Sequence, residues 1–172
     1  MKILGADYFE GKINGLKVRD LIVNVDDRGT LVELLRTDFA EVYDTLFRKD
    51  SENVHQIYLV QNHNDSVRAF HKHSKLVDFF CIIHGVAKFI FFDDRKDSST
   101  YKYRQIINVT DKRLQMICVP TGVFHGWKAD KGTILISVAN ELYMGKDKKG
   151  VLDEERIPWD TFGKEVWETQ NK

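Results

Sequence analysis

The chain has 172 residues, of which 42% are hydrophobic and 30% charged, and its 26 basic residues balance 26 acidic ones. That hydrophobic fraction supports a packed core and argues against disorder, while zero formal charge excludes a nucleic-acid footprint carried by bulk positive charge. No apolar run approaches the roughly 18 residues of a membrane span. The longest, Phe79-Phe80-Cys81-Ile82-Ile83, stops at His84-Gly85, and Met1–Asp7 carries no long apolar signal region. The length fits one domain over residues 1–172, with a core at about 16–144 and a charged tail at 145–172 that carries Trp159, Phe162 and Trp167. That tail is expected to pack back on the body or on a partner subunit.

In chain order, the first predicted strands are Lys17–Val25 and Leu31–Arg36. A single short helix follows at residues 38–48: Phe39, Val42, Tyr43, Leu46 and Phe47 recur at helical spacing, and Asp38 with Glu41 reads as a cap. The remaining elements read as strands at Val54–Gln61, Val67–His73, Leu76–Ile83, Val86–Phe92, Tyr101–Val109, Leu114–Val119 and Thr133–Ala139. They are rich in Val, Ile, Phe and Tyr and are punctuated by Asp, Asn, Gly and Ser. Leu76–Ile83 is apolar on both faces, as a strand lying between two packed layers must be. Many short strands with almost no helix predict an all-β sandwich or jelly roll. Cys81 and Cys118 both sit among hydrophobes and read as buried free thiols of a cytosolic protein.

The chemistry-bearing residues fall in two places. His71 and His73 are two apart on a predicted strand, so both imidazoles share one face. Asp78 follows across a turn at Ser74-Lys75. Far along the chain, Pro120-Thr121-Gly122 is expected to form a rigid turn that aims His125, with Gly126-Trp127 beyond it. A barrel mouth could gather His71, His73, Asp78 and His125. Such a group suits acid–base chemistry, since imidazole titrates near neutrality, and equally suits a metal shell. Trp127 either walls such a pocket or packs in the core.

The spacing of His71, His73, Asp78 and Gly85, followed by Pro120, Gly122 and His125, resembles the two motifs of the cupins, which implies a double-stranded β-helix, the cupin form of jelly roll. Asp78 stands where the usual carboxylate is Glu, and Ala129 where the second motif usually has Asn. More specifically, Asp27-Arg28-Gly29 with Glu33, Val67-Arg68-Ala69-Phe70-His71, Asp94–Tyr101 and Val119–Gly126 resemble, in order, the dTDP-4-dehydrorhamnose 3,5-epimerase family over about residues 16–160. Thr37, Asp38 and the predicted helix fit the same layout. The resemblance implies that His71 is the base that removes protons beside a sugar 4-keto group. It also implies that Arg68 contacts substrate, that Arg28 and Glu33 contact the nucleotide, and that His125 is a second pocket histidine. It further implies a cytoplasmic homodimer acting on a nucleotide sugar, with no cofactor, metal, nucleic acid or membrane involved.

Several positions depart from that family. Asp78 replaces a Lys, so an anion stands where a cation is usual, and a lost oxyanion donor is typically worth about 2.7–4 kcal/mol. Ser137 aligns with the family's acidic Tyr and is a poorer proton donor; Tyr143, six residues on, is the alternative. His73 is atypical of the epimerases and resembles the His-x-His of the dTDP-sugar 3,4-ketoisomerases. The expected function is therefore a nucleotide-sugar epimerase or isomerase acting on a dTDP-4-keto-6-deoxyhexose in deoxysugar and polysaccharide biosynthesis. In this reading His71, His73 and Tyr143 are catalytic, and Arg28, Glu33, Arg68, Asp78, His125 and Trp127 bind substrate. The alternatives are a 3,4-ketoisomerase, a metal-dependent cupin using His71, His73, Asp78 and His125, and a sugar-nucleotide binding module without catalysis.

Overall fold

The computed structural model describes residues 9–36, 54–143 and 153–169. The helix expected at 38–48, with Thr37 and Asp38, lies outside these residues. Thirteen strands among the described residues form two facing sheets and a hairpin. The six-stranded sheet runs β1(Phe9–Glu10), β9(Tyr103–Thr110), β8(Val86–Asp93), β11(Val123–Ala129), β6(Ser66–Lys72), β13(Glu155–Arg156). The five-stranded sheet runs β2(Lys17–Asp20), β10(Gln115–Val119), β7(Asp78–His84), β12(Ile134–Ala139), β5(Gln56–Gln61). The hairpin pairs β3(Val23–Asp26) with β4(Gly29–Val32).

Both sheets are antiparallel except for the β1–β9 pair. Neighbours in space are often far apart in sequence, as in β11 between β6 and β8, which is the crossed connectivity of a jelly roll. Period-2 alternation then sorts the side chains. Phe80 and Ile82 of β7, Ile117 and Val119 of β10, Phe89 and Phe91 of β8 and Trp127 of β11 fill the space between the sheets. Phe79 and Cys81 of β7, with Met116 and Cys118 of β10, point the other way and pack with Val32, Leu34, Leu35 and Val54. The two-faced apolar pattern of β7 thus has its expected cause, a strand serving two cores. Each such Phe contributes about 1.5–3 kcal/mol by its burial. Cys81 and Cys118 are both buried and free, and burial pushes the Cys81 thiol up to about 11.

Three sequence expectations change. The strand read over Lys17–Val25 is two strands, β2 and β3, broken at Leu21-Ile22 so that each pairs with a different partner. Leu31–Arg36 shortens to β4, which ends at Val32. Pro120–Gly122 does turn, with Gly122 at φ +79°, but His125 is not carried on that turn: it lies inside strand β11. The short pieces β1 and β13 were not legible at all. The tail packs on the body. Phe162 and Trp167 bury against Phe70 and Phe92 on the outer face of the six-stranded sheet, with ring centroids 5.1–5.4 Å apart, while Trp159 stays 42% exposed.

Candidate functional site

Strand register brings the two histidine motifs together. His125 of β11 is the cross-strand partner of His71 of β6, and the register shifts between His125 and Trp127. The His71 and His125 ring centroids are 4.1 Å apart. His73 follows the end of β6, its ring centroid 5.8 Å from that of His71. From the opposite sheet, Asp78 opens β7 and points at the same spot. Its Oδ2 lies 3.3 Å from His125 Nε2 and 3.6 Å from His73 Nε2. Ligand-type atoms of His71, His73, Asp78 and His125 all fall within 4.8 Å of one another. The sandwich does what the sequence spacing only suggested.

This cluster forms the floor of a cavity of about 480 Å³ between the sheets, lined by His71, His73, Asp78, Arg68, Trp127 and Tyr143 among others. His125 sits behind His71, 2% exposed. Trp127 walls the cavity and meets the rings of His71, Phe80 and Phe89 at 5.4–5.9 Å, so it is both pocket wall and core. Arg28 and Glu33 are not among the lining residues. Arg28 pairs with Asp26 on an exposed hairpin, and Glu33 bonds Arg36. The expected substrate-contact residues therefore divide into a group gathered at the cavity and two, Arg28 and Glu33, on the β3–β4 side.

Burial holds the His71 imidazole well below the ordinary histidine value, and the neighbouring His125, His73 and Arg156 act in the same direction. A neutral ring at the cavity wall can accept a proton. No hydrogen bond among the described residues engages that ring. His125 and His73 differ: their Nδ1 atoms face the backbone carbonyls of Val123, at 3.0 Å, and Asp153. The Asp153 carboxylate also accepts from Ser74 N, Ser74 Oγ, Lys75 N and Leu76 N, and so fixes the loop between His73 and Asp78.

Four residues of the site escaped the sequence reading. Tyr58, on β5, is the register partner of Ser137 on β12 and is hydrogen-bonded to its side chain. Ser137 Oγ in turn donates to Asp78 Oδ1 at 3.4 Å. Burial, and then the charge of Asp78, drive the Tyr58 phenol far above its usual value, so it stays a proton donor. Glu154 and Arg156, from the tail, also line the cavity; Tyr143 Oη donates to Glu154 Oε2 at 2.8 Å, and Arg156 pairs with Glu154 at 2.9 Å. Asp153, which fixes the loop above, is the fourth. Tyr58 carried one signal, a phenol at an alternate position of a predicted strand, on the face it shares with Gln56 and Val60, but the tail residues had none.

The fold and this pocket define a cupin-type jelly roll with a histidine–carboxylate cluster at the floor of a cavity between its sheets. The sequence pattern of the dTDP-4-dehydrorhamnose 3,5-epimerases matches residues 10–168. A Haloferax volcanii protein named "Probable low-salt glycan biosynthesis epimerase Agl13" is 35% identical over 151 residues, covering 86% of this chain and 89% of that one. The Bacillus subtilis spore coat polysaccharide biosynthesis protein SpsL is 30% identical over 149 residues, covering 86% and 91%. The rmlC epimerase structure from Mycobacterium tuberculosis superposes with a TM-score of 0.72 at 19% identity, covering 90% of this chain and 74% of that one, which shows the shared architecture. The chain belongs to the dTDP-4-dehydrorhamnose 3,5-epimerase family and is an enzyme of the isomerase class.

Proposed function

We propose that this enzyme epimerises a dTDP-linked 4-keto-6-deoxyhexose destined for a polysaccharide or other glycan, with His71 as the base. The observation that supports this most is the His71 ring itself: neutral, on the cavity wall, and engaged by no hydrogen bond among the described residues. A C–H beside the 4-ketone gives its proton to the imidazole, and the electron pair moves into an enolate. Reprotonation from the opposite face inverts the carbon. Two phenols line the same cavity as donors: Tyr143, oriented by Glu154, and Tyr58, backed by Ser137. Arg68 at the wall offers planar donors to a phosphate or to the enolate oxygen. Trp127 supplies an apolar wall. His73 and Asp78 lie at the cavity floor, where they shape the charge behind His71.

Arg28 and Glu33 retain a nucleotide-binding role in this proposal only through a homodimer or a rearranged hairpin. Ile22, Val23, Val25, Leu31, Ile57 and Leu59 are exposed apolar side chains available to an interface. Sedimentation equilibrium should give twice the chain mass; a monomer at high concentration removes the dimer.

The deciding experiment incubates the protein with dTDP-4-keto-6-deoxyglucose in D₂O and reads the sugar by mass spectrometry and NMR. Deuterium should enter beside the ketone, and His71→Asn should lower its rate by about 10²–10⁴-fold. A ketone that migrates to C3 makes the enzyme a 3,4-ketoisomerase instead. Calorimetric binding of dTDP with no exchange on any 4-keto nucleotide sugar defeats catalysis altogether.

A further inference from the structure

The hydrogen bonds at the cavity floor leave a chemical problem. A backbone carbonyl only accepts, so the Nδ1 atoms of His73 and His125 carry the hydrogens that face Asp153 O and Val123 O. In a neutral ring the remaining Nε2 is then a bare lone pair. Both Nε2 lone pairs are aimed at Oδ2 of Asp78, itself an acceptor. All three side chains are buried, with His73 at 6%, Asp78 at 3% and His125 at 2% exposure, and His125 Nε2 has no hydrogen-bond partner. Three acceptors converging on the floor of a cavity need something positive between them.

The separations say what fits. Nε2 to Oδ2 is 3.3 Å for His125 and 3.6 Å for His73, longer than the roughly 2.7–2.9 Å of a charge-assisted hydrogen bond. They match the edge of a coordination tetrahedron: ligands at about 2.0–2.1 Å from one ion lie about 3.3–3.4 Å apart. Carbonyls behind two imidazoles are also the usual outer support of metal-bound histidine, fixing tautomer and ring direction. Ser137 plays that part for the carboxylate.

We propose that His73, Asp78 and His125 bind one divalent first-row metal ion, Zn²⁺ by its nitrogen and oxygen ligand set, with the fourth position open toward the cavity. His71 stays outside this set, because no carbonyl among the described residues fixes its ring. The site itself is independent of the epimerase reading, which calls for no metal. One consequence does rest on that reading: an ion on Asp78 restores a positive charge to the position where the epimerases carry Lys.

The test uses full-length protein made without a histidine tag and stripped with a chelator. Zn²⁺ is titrated calorimetrically, and Co²⁺ by visible absorption. About one equivalent of Zn²⁺ should bind, and Co²⁺ should develop the intense visible bands of a tetrahedral site. Asp78→Asn and His125→Asn should each weaken binding by at least about 10–100-fold, while His71→Asn binds as the unmutated protein does. No Zn²⁺ binding, or binding unchanged in both ligand variants, overturns the site; weakened binding in His71→Asn overturns the three-ligand assignment. If the variants fail to fold, the Co²⁺ spectrum of the unmutated protein decides: the pale spectrum of the hydrated ion rejects the site. Stripped protein that exchanges deuterium at full rate and binds no Zn²⁺ leaves the epimerase standing and removes the metal. Bound Zn²⁺ with no exchange on any substrate does the reverse.

Discussion

At the scale of single residues, environment separates a group able to accept a proton from groups able to donate one. Burial keeps His71 neutral and keeps the Tyr58 phenol protonated, so one group can accept and the other donate near neutral pH. Tyr143 is more exposed, and its bond to Glu154 holds its direction. The two phenols can be told apart by removing each hydroxyl. We expect Tyr58→Phe to slow deuterium exchange by about 10²-fold or more, the usual contribution of a positioned proton donor, with a stability loss of only about 1 kcal/mol for its hydrogen bond with Ser137. Exchange undiminished in both Tyr58→Phe and Tyr143→Phe removes phenols from the mechanism. The histidine–aspartate cluster was readable in the sequence because a two-residue spacing fixes a shared strand face and because the later motif matched. Tyr58 was not, because its approach to Asp78 runs through a cross-strand partner 79 positions away.

Strands and turns set how closely these groups meet. At Gly126 β11 lies so close to β6 that a Cβ there would overlap Ala69 and stand 2.8 Å from the Arg68 carbonyl. Gly126→Ala must therefore push β11 off β6, beside the His71–His125 pair. A loss of about 1–3 kcal/mol in urea denaturation is expected, with exchange activity lost as well; a fully stable, active variant contradicts the β6–β11 register. The turn from β8 to β9 is held from within. Burial pushes the Asp93 carboxyl up, but hydrogen bonds from Arg95, Thr100 and Ser98 together outweigh it and hold the group below its ordinary 3.8. A depressed carboxyl stabilises the fold above its unfolded value, and that stabilisation disappears as pH falls through the folded value. Asp93→Asn should then cost about 3 kcal/mol at pH 7, and the gap between the two proteins should close well below pH 3.8. Equal urea midpoints at neutral pH would contradict this. Elements rich in β-branched and aromatic residues were legible. β11 was not, since Gly122, His125 and Gly126 weaken its strand signal and its pairing with β6 and β8 comes from far along the chain.

Over the whole molecule, the tail completes both the core and the cavity. Phe162, Val166 and Trp167 cover the outer face of the six-stranded sheet, and Lys88 and Lys128 bond the carbonyls of Val166, Trp167 and Glu168. The same segment delivers Asp153, Glu154 and Arg156 to the site. Trp167→Ala should cost about 3–5 kcal/mol and lower substrate affinity together with stability; loss of stability with unchanged affinity would uncouple tail from cavity. No helix among the described residues is long and apolar enough to cross a membrane. The sequence by itself determined the all-β architecture, the two-faced central strand, the free buried thiols and the family, because each rests on local periodicity, residue chemistry or an ordered set of motifs. Only the tertiary structure decided that His125 stands cross-strand from His71, that Asp78 meets the Nε2 atoms of two imidazoles, and that a tail supplies part of the pocket wall. Those are distances between segments remote along the chain, and they are set by sheet register and packing, which no local pattern encodes.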